Sequence, residues 1–201
     1  WPGESRFEII IGAILTQNTN WQNVEKAIKN IKNAAMMEPA AMHKLPAQQL
    51  AALIRPAGYY NIKAARIKNF LDRLFADYNG LLQALDNLPD YSLRQELLTI
   101  KGIGRETADS IMLYAYNRPV FVVDAYTARI LSRHGIIDSC CDYEQLRETM
   151  ESALPQDRSL FNEYHALLVK LGKDYCRSKP KCEDCPLNKL PIVSELVERQ
   201  D

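Results

Sequence analysis

Hydrophobic positions along this chain recur at helical spacing, and a strand-like alternation persists nowhere. Trp21, Val24, Ile28 and Ile31 fall on one face of a 3.6-residue repeat within a polar segment, which predicts an amphipathic helix. The apolar run before it, Phe7 to Leu15 (FEIIIGAIL), is short enough to be a buried strand or a buried helix, and its helical continuation favours the helix. Thr16-Gln17-Asn18-Thr19 then forms a polar cluster at the end of that buried segment, where Asn and Thr commonly cap. From Pro39 to Ile54 a helix breaks at Leu45-Pro46 and restarts, since proline is welcome in a first turn. A turn over Pro56 to Asn61 leads into an amphipathic helix, IKAARIKNFLDRLFADY, and two short helices follow over Leu81 to Leu88 and Ser92 to Ile100. Further helices are predicted over Ala125 to Gly135, Tyr143 to Ala153 and Leu160 to Tyr175. The pattern predicts an all-α fold without internal repeats or low-complexity segments.

One stretch, Leu97 to Leu131, carries the most specific local signal. It reads as a helix end, a tight Lys101-Gly102-Ile103-Gly104 hairpin, a second helix from about Arg105 to Tyr116, and an apolar run that ends on Asp124. Two glycines around one apolar residue let the backbone turn sharply while Ile103 plugs the core. The next helix then begins with free N–H groups pointing outward, a natural seat for a nucleic-acid phosphate. An ordinary helix-turn-helix connection has the same pattern, so the hairpin alone decides little. Asp124 directly follows Val122-Val123, and a carboxylate at the edge of a buried run is either paired or functional. Its ordinary use is to cap the helix beginning at Ala125.

Composition narrows the classes. The 201 residues, 47% of them hydrophobic, suffice for one generous domain or two small lobes. No run of 18 apolar residues occurs and the start does not resemble a signal peptide, so a soluble, intracellular, cytoplasmic protein is expected, with no membrane partner. A first residue of Trp1 rather than Met suggests that a leading segment is missing. With 25 basic and 25 acidic residues, bulk charge does not hold nucleic acid, although a local basic face drawn from Lys63, Arg66, Lys68, Lys101 and Arg105 would serve. The cysteines Cys176, Cys182 and Cys185, spaced Cys-x5-Cys-x2-Cys, suggest a metal site more than a disulfide in an intracellular protein. Cys140 and Cys141 lie far upstream, and nothing recruits them to that set.

Leu98 to Asp109 (LTIKGIGRETAD) together with Val122-Val123-Asp124 resembles the helix-hairpin-helix and catalytic aspartate of the endonuclease III-like DNA glycosylases, and the resemblance extends over nearly the whole chain. It implies a two-lobed, all-α fold with a C-terminal cysteine loop. One lobe would span residues 4–117 and the other residues 1–3 with 118–201. Double-stranded DNA carrying a damaged base would bind in the cleft between them, with Asp124 at its mouth and a monomer as the expected state. The resemblance also implies base-excision repair, in which a damaged base is flipped out and its glycosidic bond hydrolysed.

Carried over position by position, the resemblance makes Asp124 the catalytic carboxylate, Gln17 the residue that fills the gap left by the flipped nucleotide, and Tyr59 the wedge in the stack opposite the lesion. Lys101, Gly102, Gly104 and Arg105 would contact DNA through the hairpin. Strand-cleaving members carry a lysine where this chain has Glu106; a carboxylate cannot form their imine, so a monofunctional glycosylase without lyase activity is expected. Many members bind a 4Fe-4S cluster through a four-cysteine loop, which matches here through Pro186-Leu187, but Pro191 stands where the fourth cysteine would be. A cluster with an unknown fourth ligand comes first, with zinc or no metal as alternatives. Within the family, the segments around Leu15 to Thr19, Glu106 and Val123 to Tyr126 most resemble the bacterial 3-methyladenine glycosylases, in which Trp1, Pro2 and Trp21 would form the base pocket. An alkylated purine such as 3-methyladenine is therefore the expected lesion. Mismatched thymine or uracil and oxidised pyrimidines are alternatives, as is a non-catalytic DNA-binding module in which Asp124 is only a cap.

Overall fold

The computed structural model describes residues 2–192, and every described element is helical or irregular. The chain divides into two compact units, Trp1–Arg118 and Pro119–Asp201.

In the first unit the ambiguous apolar run is a helix, α1 (Arg6–Thr16), started by the Ser5 hydroxyl, which accepts from the Glu8 amide. It is wrapped in protein: Phe7, Ile10, Ile11, Ile14 and Leu15 are buried, which explains an apolar pattern too dense for a surface helix. Helix α2 (Trp21–Asn33) is capped by the Asn20 side chain and turns Val24, Ile28 and Ile31 inward, as the spacing predicts. The break at Leu45-Pro46 separates α3 (Pro39–Lys44) from α4 (Ala47–Leu53). A 3-10 turn, Arg55–Ala57, then leads to α5 (Tyr60–Tyr78), whose inward stripe is Ala64, Ile67, Phe70, Leu71 and Leu74. Helix α5 packs on α1, α3 and α4 and so forms the spine of this unit.

Two predicted helical stretches are not plain α-helix. The short helix over Leu81 to Leu88 is a 3-10 helix, Leu82–Asn87, a tighter turn used in short pieces such as this one. After α6 (Asp90–Thr99) and the hairpin, α7 covers only Arg105–Ser110, and Ile111–Ala115 continue it with a π-helical turn, with the Tyr116 amide bonding to the Ile111 carbonyl at 3.2 Å. Wider turns of this kind carry no distinctive residue pattern, so an apolar IMLYA run reads as ordinary helix.

The second unit opens with residues 119–124, which lack regular structure although Val120 to Val123 are buried. Three helices follow: α8 (Ala125–Arg133), α9 (Tyr143–Ala153), started by a capping box between Asp142 and Gln145, and α10 (Arg158–Asp174). Phe121 and Phe161 meet edge to face at 5.4 Å. Helices α8 and α10 approach closely at Gly172, where a Cβ would sit 2.3 Å from the Tyr126 ring. No helix among the described residues is long and apolar enough to cross a membrane.

Candidate active site and DNA interface

Asp124 is the N-cap of α8 and at the same time a nearly buried carboxylate. Its Oδ1 accepts from the Thr127 amide at 2.8 Å and from the Thr127 hydroxyl at 3.0 Å, while Oδ2 lies 3.6 Å from Nε2 of His165 on α10. The side chain keeps 12% of its surface, so the carboxylate is not fully sealed from solvent. Burial pushes the carboxyl toward protonation, but His165 and the two Thr127 bonds outweigh it and hold the group below the ordinary carboxylate value. An ionised, partly desolvated carboxylate stabilises a developing positive charge far better than one in open water. His165 carries no local signal in the sequence, since a histidine on a helical face looks the same whether or not a distant carboxylate meets it.

In the first unit the hairpin is tied to the end of α1. Gln17 donates Nε2 to the Gly102 carbonyl at 3.0 Å and to the Thr107 hydroxyl at 2.8 Å, and its Oε1 accepts from the Arg66 guanidinium. Asn69 of α5 donates to the Lys101 carbonyl at 2.8 Å. Gly102 is required twice over, by a φ of +98° and because a Cβ there would lie 2.3 Å from Arg66 Cγ. Asp109 is fully buried and accepts from Nε and Nη2 of Arg94, at 2.7 and 3.1 Å, a bidentate pair that joins α6 to α7. Gly104, the N-cap of α7, offers no side chain to the first-turn amides. Lys101, Arg105 and Glu106 are exposed around this turn.

The five-residue basic face does not exist as such. Lys63 is buried, with Nζ donating to the carbonyls of Leu15 at 2.8 Å and Ala57 at 2.7 Å, and burial lowers its pKa to about 8. Lys68 caps the end of α3 through the carbonyls of His43 and Leu45, and Arg66 holds Gln17. Lys101 and Arg105 are the exposed members of the set, while Arg66 and Lys68 are half-buried and engaged. The sequence places all five on helices or turns, but only the packing tells which cations serve carbonyls inside.

Tyr59 precedes α5 with a left-handed φ of +46° and a side chain 70% exposed. A bulky residue rarely takes that backbone conformation, and local strain of this kind concentrates at functional positions. Pro2 and Trp21 line one cavity of about 480 Å³ together with Glu4, Glu8 and Glu25. Trp21 donates Nε1 to Glu25 at 2.8 Å, and Lys32 bridges Glu4 and Glu8 at 3.0 and 2.9 Å. Trp1 lies outside the described residues.

Cys176, Cys182 and Cys185 are free thiols and line a second cavity of about 480 Å³ beside the end of α8, together with His134; Cys140 and Cys141 are not among its lining residues. Arg133 donates to Cys176 Sγ at 3.2 Å and to the carbonyls of Arg177 and Ser178. Among the described residues no three His, Cys, Asp or Glu side chains converge on one metal ion. Three thiols on one cavity are a donor set that an iron–sulfur cluster or a zinc ion would take.

Comparison with known proteins agrees with this architecture. The family model described as "HhH-GPD superfamily base excision DNA repair protein" matches residues 11–156. "Putative DNA repair glycosylase MJ1434" of Methanocaldococcus jannaschii is 46% identical over 188 residues, covering 93% of this chain and 86% of that protein. The fold is that of endonuclease III in a non-covalent complex with DNA, with a TM-score of 0.82 at 24% identity over 100% of this chain and 88% of that one. The 3-methyladenine DNA glycosylase of H. pylori, solved with 1,N6-ethenoadenine, has a TM-score of 0.74 at 31% identity over 86% of this chain and 87% of that one.

Proposed function

Since the chain belongs to the HhH-GPD superfamily of base excision DNA repair proteins, we propose that it is a monofunctional DNA glycosylase that removes an alkylated purine such as 3-methyladenine from duplex DNA. The observation that carries this reading is the environment of Asp124: an ionised carboxylate with one oxygen fixed by Thr127 and the other facing His165. As the C1′–N bond breaks, its electron pair leaves with the base and positive charge builds on the sugar. Oδ2 stabilises that charge, and water adds to C1′ with loss of its proton to the carboxylate or to solvent. A base that already carries a methyl group and a positive charge departs as a neutral molecule, so no strong acid is needed at the leaving group. His165 is a positioning residue in this scheme, because it keeps Asp124 ionised.

Glu106 supports the monofunctional reading. It occupies the place of the lyase lysine, and a carboxylate provides no amine to form an imine with the sugar. Pro2 and Trp21 line one cavity whose carboxylates Glu4 and Glu8 are paired with Lys32, so what it offers a cationic purine is the Trp21 ring beside Glu25; Trp1 is assigned to the same proposed pocket. The 31% identity to an enzyme named for 3-methyladenine points in the same direction. Gln17 and Tyr59 are assigned to the gap and the wedge. Gln17 would exchange its bonds to Gly102, Thr107 and Arg66 for bonds to the estranged base, and Tyr59 replaces lost stacking with its exposed ring. Lys101 and Arg105, with the backbone at Gly102 and Gly104, are assigned to phosphates. Cys176, Cys182 and Cys185 are assigned to a 4Fe-4S cluster, which when bound braces the loop and supplies no electrons to a hydrolysis.

The test is base release from duplex DNA containing 3-methyladenine by the parent and by Asp124→Asn, with strand integrity followed before and after alkali. Release by the parent alone, with strands breaking only after alkali, supports the proposal. No release overturns the alkylpurine assignment and moves the assay to uracil, thymine mismatches and oxidised bases, and strand breakage without alkali overturns the reading of Glu106.

A further inference from the structure

The cavity beside the cysteine loop holds a ligating side chain that the loop does not supply. His134 follows the last turn of α8 and lines the cavity with Cys176, Cys182 and Cys185. Its Nδ1 lies 3.0 Å from the carbonyl oxygen of Pro191. A carbonyl only accepts, so Nδ1 carries the proton and Nε2 keeps the lone pair of the neutral ring. Histidines that bind metals are held in this way, with the far N–H fixed on a carbonyl or carboxylate and the other nitrogen left to the metal.

The identity of that carbonyl matters. Pro191 occupies the position of the missing fourth cysteine, so the residue that lacks the thiol uses its backbone to orient an imidazole instead. The end of α8 is also fixed against the loop by two arginines that precede His134. Arg129 donates to the Cys176 carbonyl at 2.7 Å, and Arg133 donates to the Cys176 sulfur and to the carbonyls of Arg177 and Ser178. Glu183 also lines the cavity, but a carboxylate suits hard cations where imidazole suits iron.

From this juxtaposition we infer that His134, through Nε2, is the fourth ligand of an iron–sulfur cluster held by Cys176, Cys182 and Cys185, an assignment that rests on the proposed reading of this loop as a cluster site. Three thiolates and one imidazole complete a ligand set that three cysteines leave open, and imidazole in place of thiolate raises a cluster's reduction potential.

The experiment is iron and sulfide analysis with visible absorption spectra of the full chain purified without oxygen, comparing the parent, His134→Ala, Glu183→Gln and the double variant His134→Ala/Pro191→Cys. The expected result is a cluster in the parent and in Glu183→Gln, loss of most of the iron from His134→Ala, and its recovery in the double variant, where a thiol stands at the usual fourth position. His134→Cys should retain the iron and shift the potential to a more negative value, which keeps the test decisive if His134→Ala folds poorly. Unchanged iron and spectrum in His134→Ala overturn the role of His134 and leave the cluster reading standing. A parent that holds zinc, or no metal at all after anaerobic purification, overturns both.

Discussion

At the scale of single residues, the two oxygens of Asp124 divide two roles that a sequence presents as alternatives. Oδ1 starts α8 through Thr127, as any capping aspartate does, and Oδ2 is left toward His165. The cap therefore positions the carboxylate instead of competing with its chemistry. A consequence concerns pH. Asp124 has its proton affinity lowered in the fold, so both its ionised state and the stability it contributes are present above the ordinary carboxylate value and lost as the pH falls through the depressed one. Replacing His165 with Gln removes one of the groups that oppose burial, so the acid limb of the glycosylase pH profile should move to higher pH while the rate on the alkaline side changes little. An acid limb that stays in place would show that His165 serves only packing. The capping place of Asp124 was legible from its position after Val122-Val123 and before a helix, whereas its meeting with His165 was not, because that depends on which face of α10 meets α8.

At the scale of elements, turns were easier to read than the helices' fine structure. The hairpin at Lys101 to Gly104 lies where its two glycines put it, since φ of +98° at Gly102 is a local demand that only glycine meets at no cost. The π turn at Ile111–Ala115 and the 3-10 turn at Leu82–Asn87 were not legible, because the choice among helix types is made by packing. The same holds for Gly172, an unremarked residue inside a helical stretch that proves to be the contact point of α10 with Tyr126 of α8. Gly172→Ala forces a methyl group into that ring and should lower unfolding stability by about 1–3 kcal/mol, the usual cost of overpacking a tight contact. Denaturant titration measures the loss, and a variant as stable as the parent would mean that the Tyr126 ring moves aside freely.

At the scale of the whole molecule, a net charge of zero conceals a specific disposal of cations. Lys63 is spent inside, on the carbonyls of Leu15 and Ala57 that flank the segments bearing Gln17 and Tyr59. Its pKa falls to about 8 from 10.5, so between those values the unfolded chain holds a proton that the native one has released. The contribution of Lys63 to stability consequently rises with pH across that window, and the burial cost is fully present below it. Urea unfolding at pH 8, 9 and 10 should show the parent gaining stability relative to Lys63→Met as the pH increases; a constant difference would assign Lys63 a purely structural role. The sequence by itself determined the all-helical class, the places where helices start and stop, the hairpin and the carboxylate that follows it, because periodicity, caps and glycine turns act over a few residues. It could not determine which lysines and arginines stay on the surface, that His165 meets Asp124, or that His134 joins three cysteines around one cavity. Those pairings join residues far apart in the chain, and only the packing of one helix on another brings them into hydrogen-bonding contact or onto one cavity.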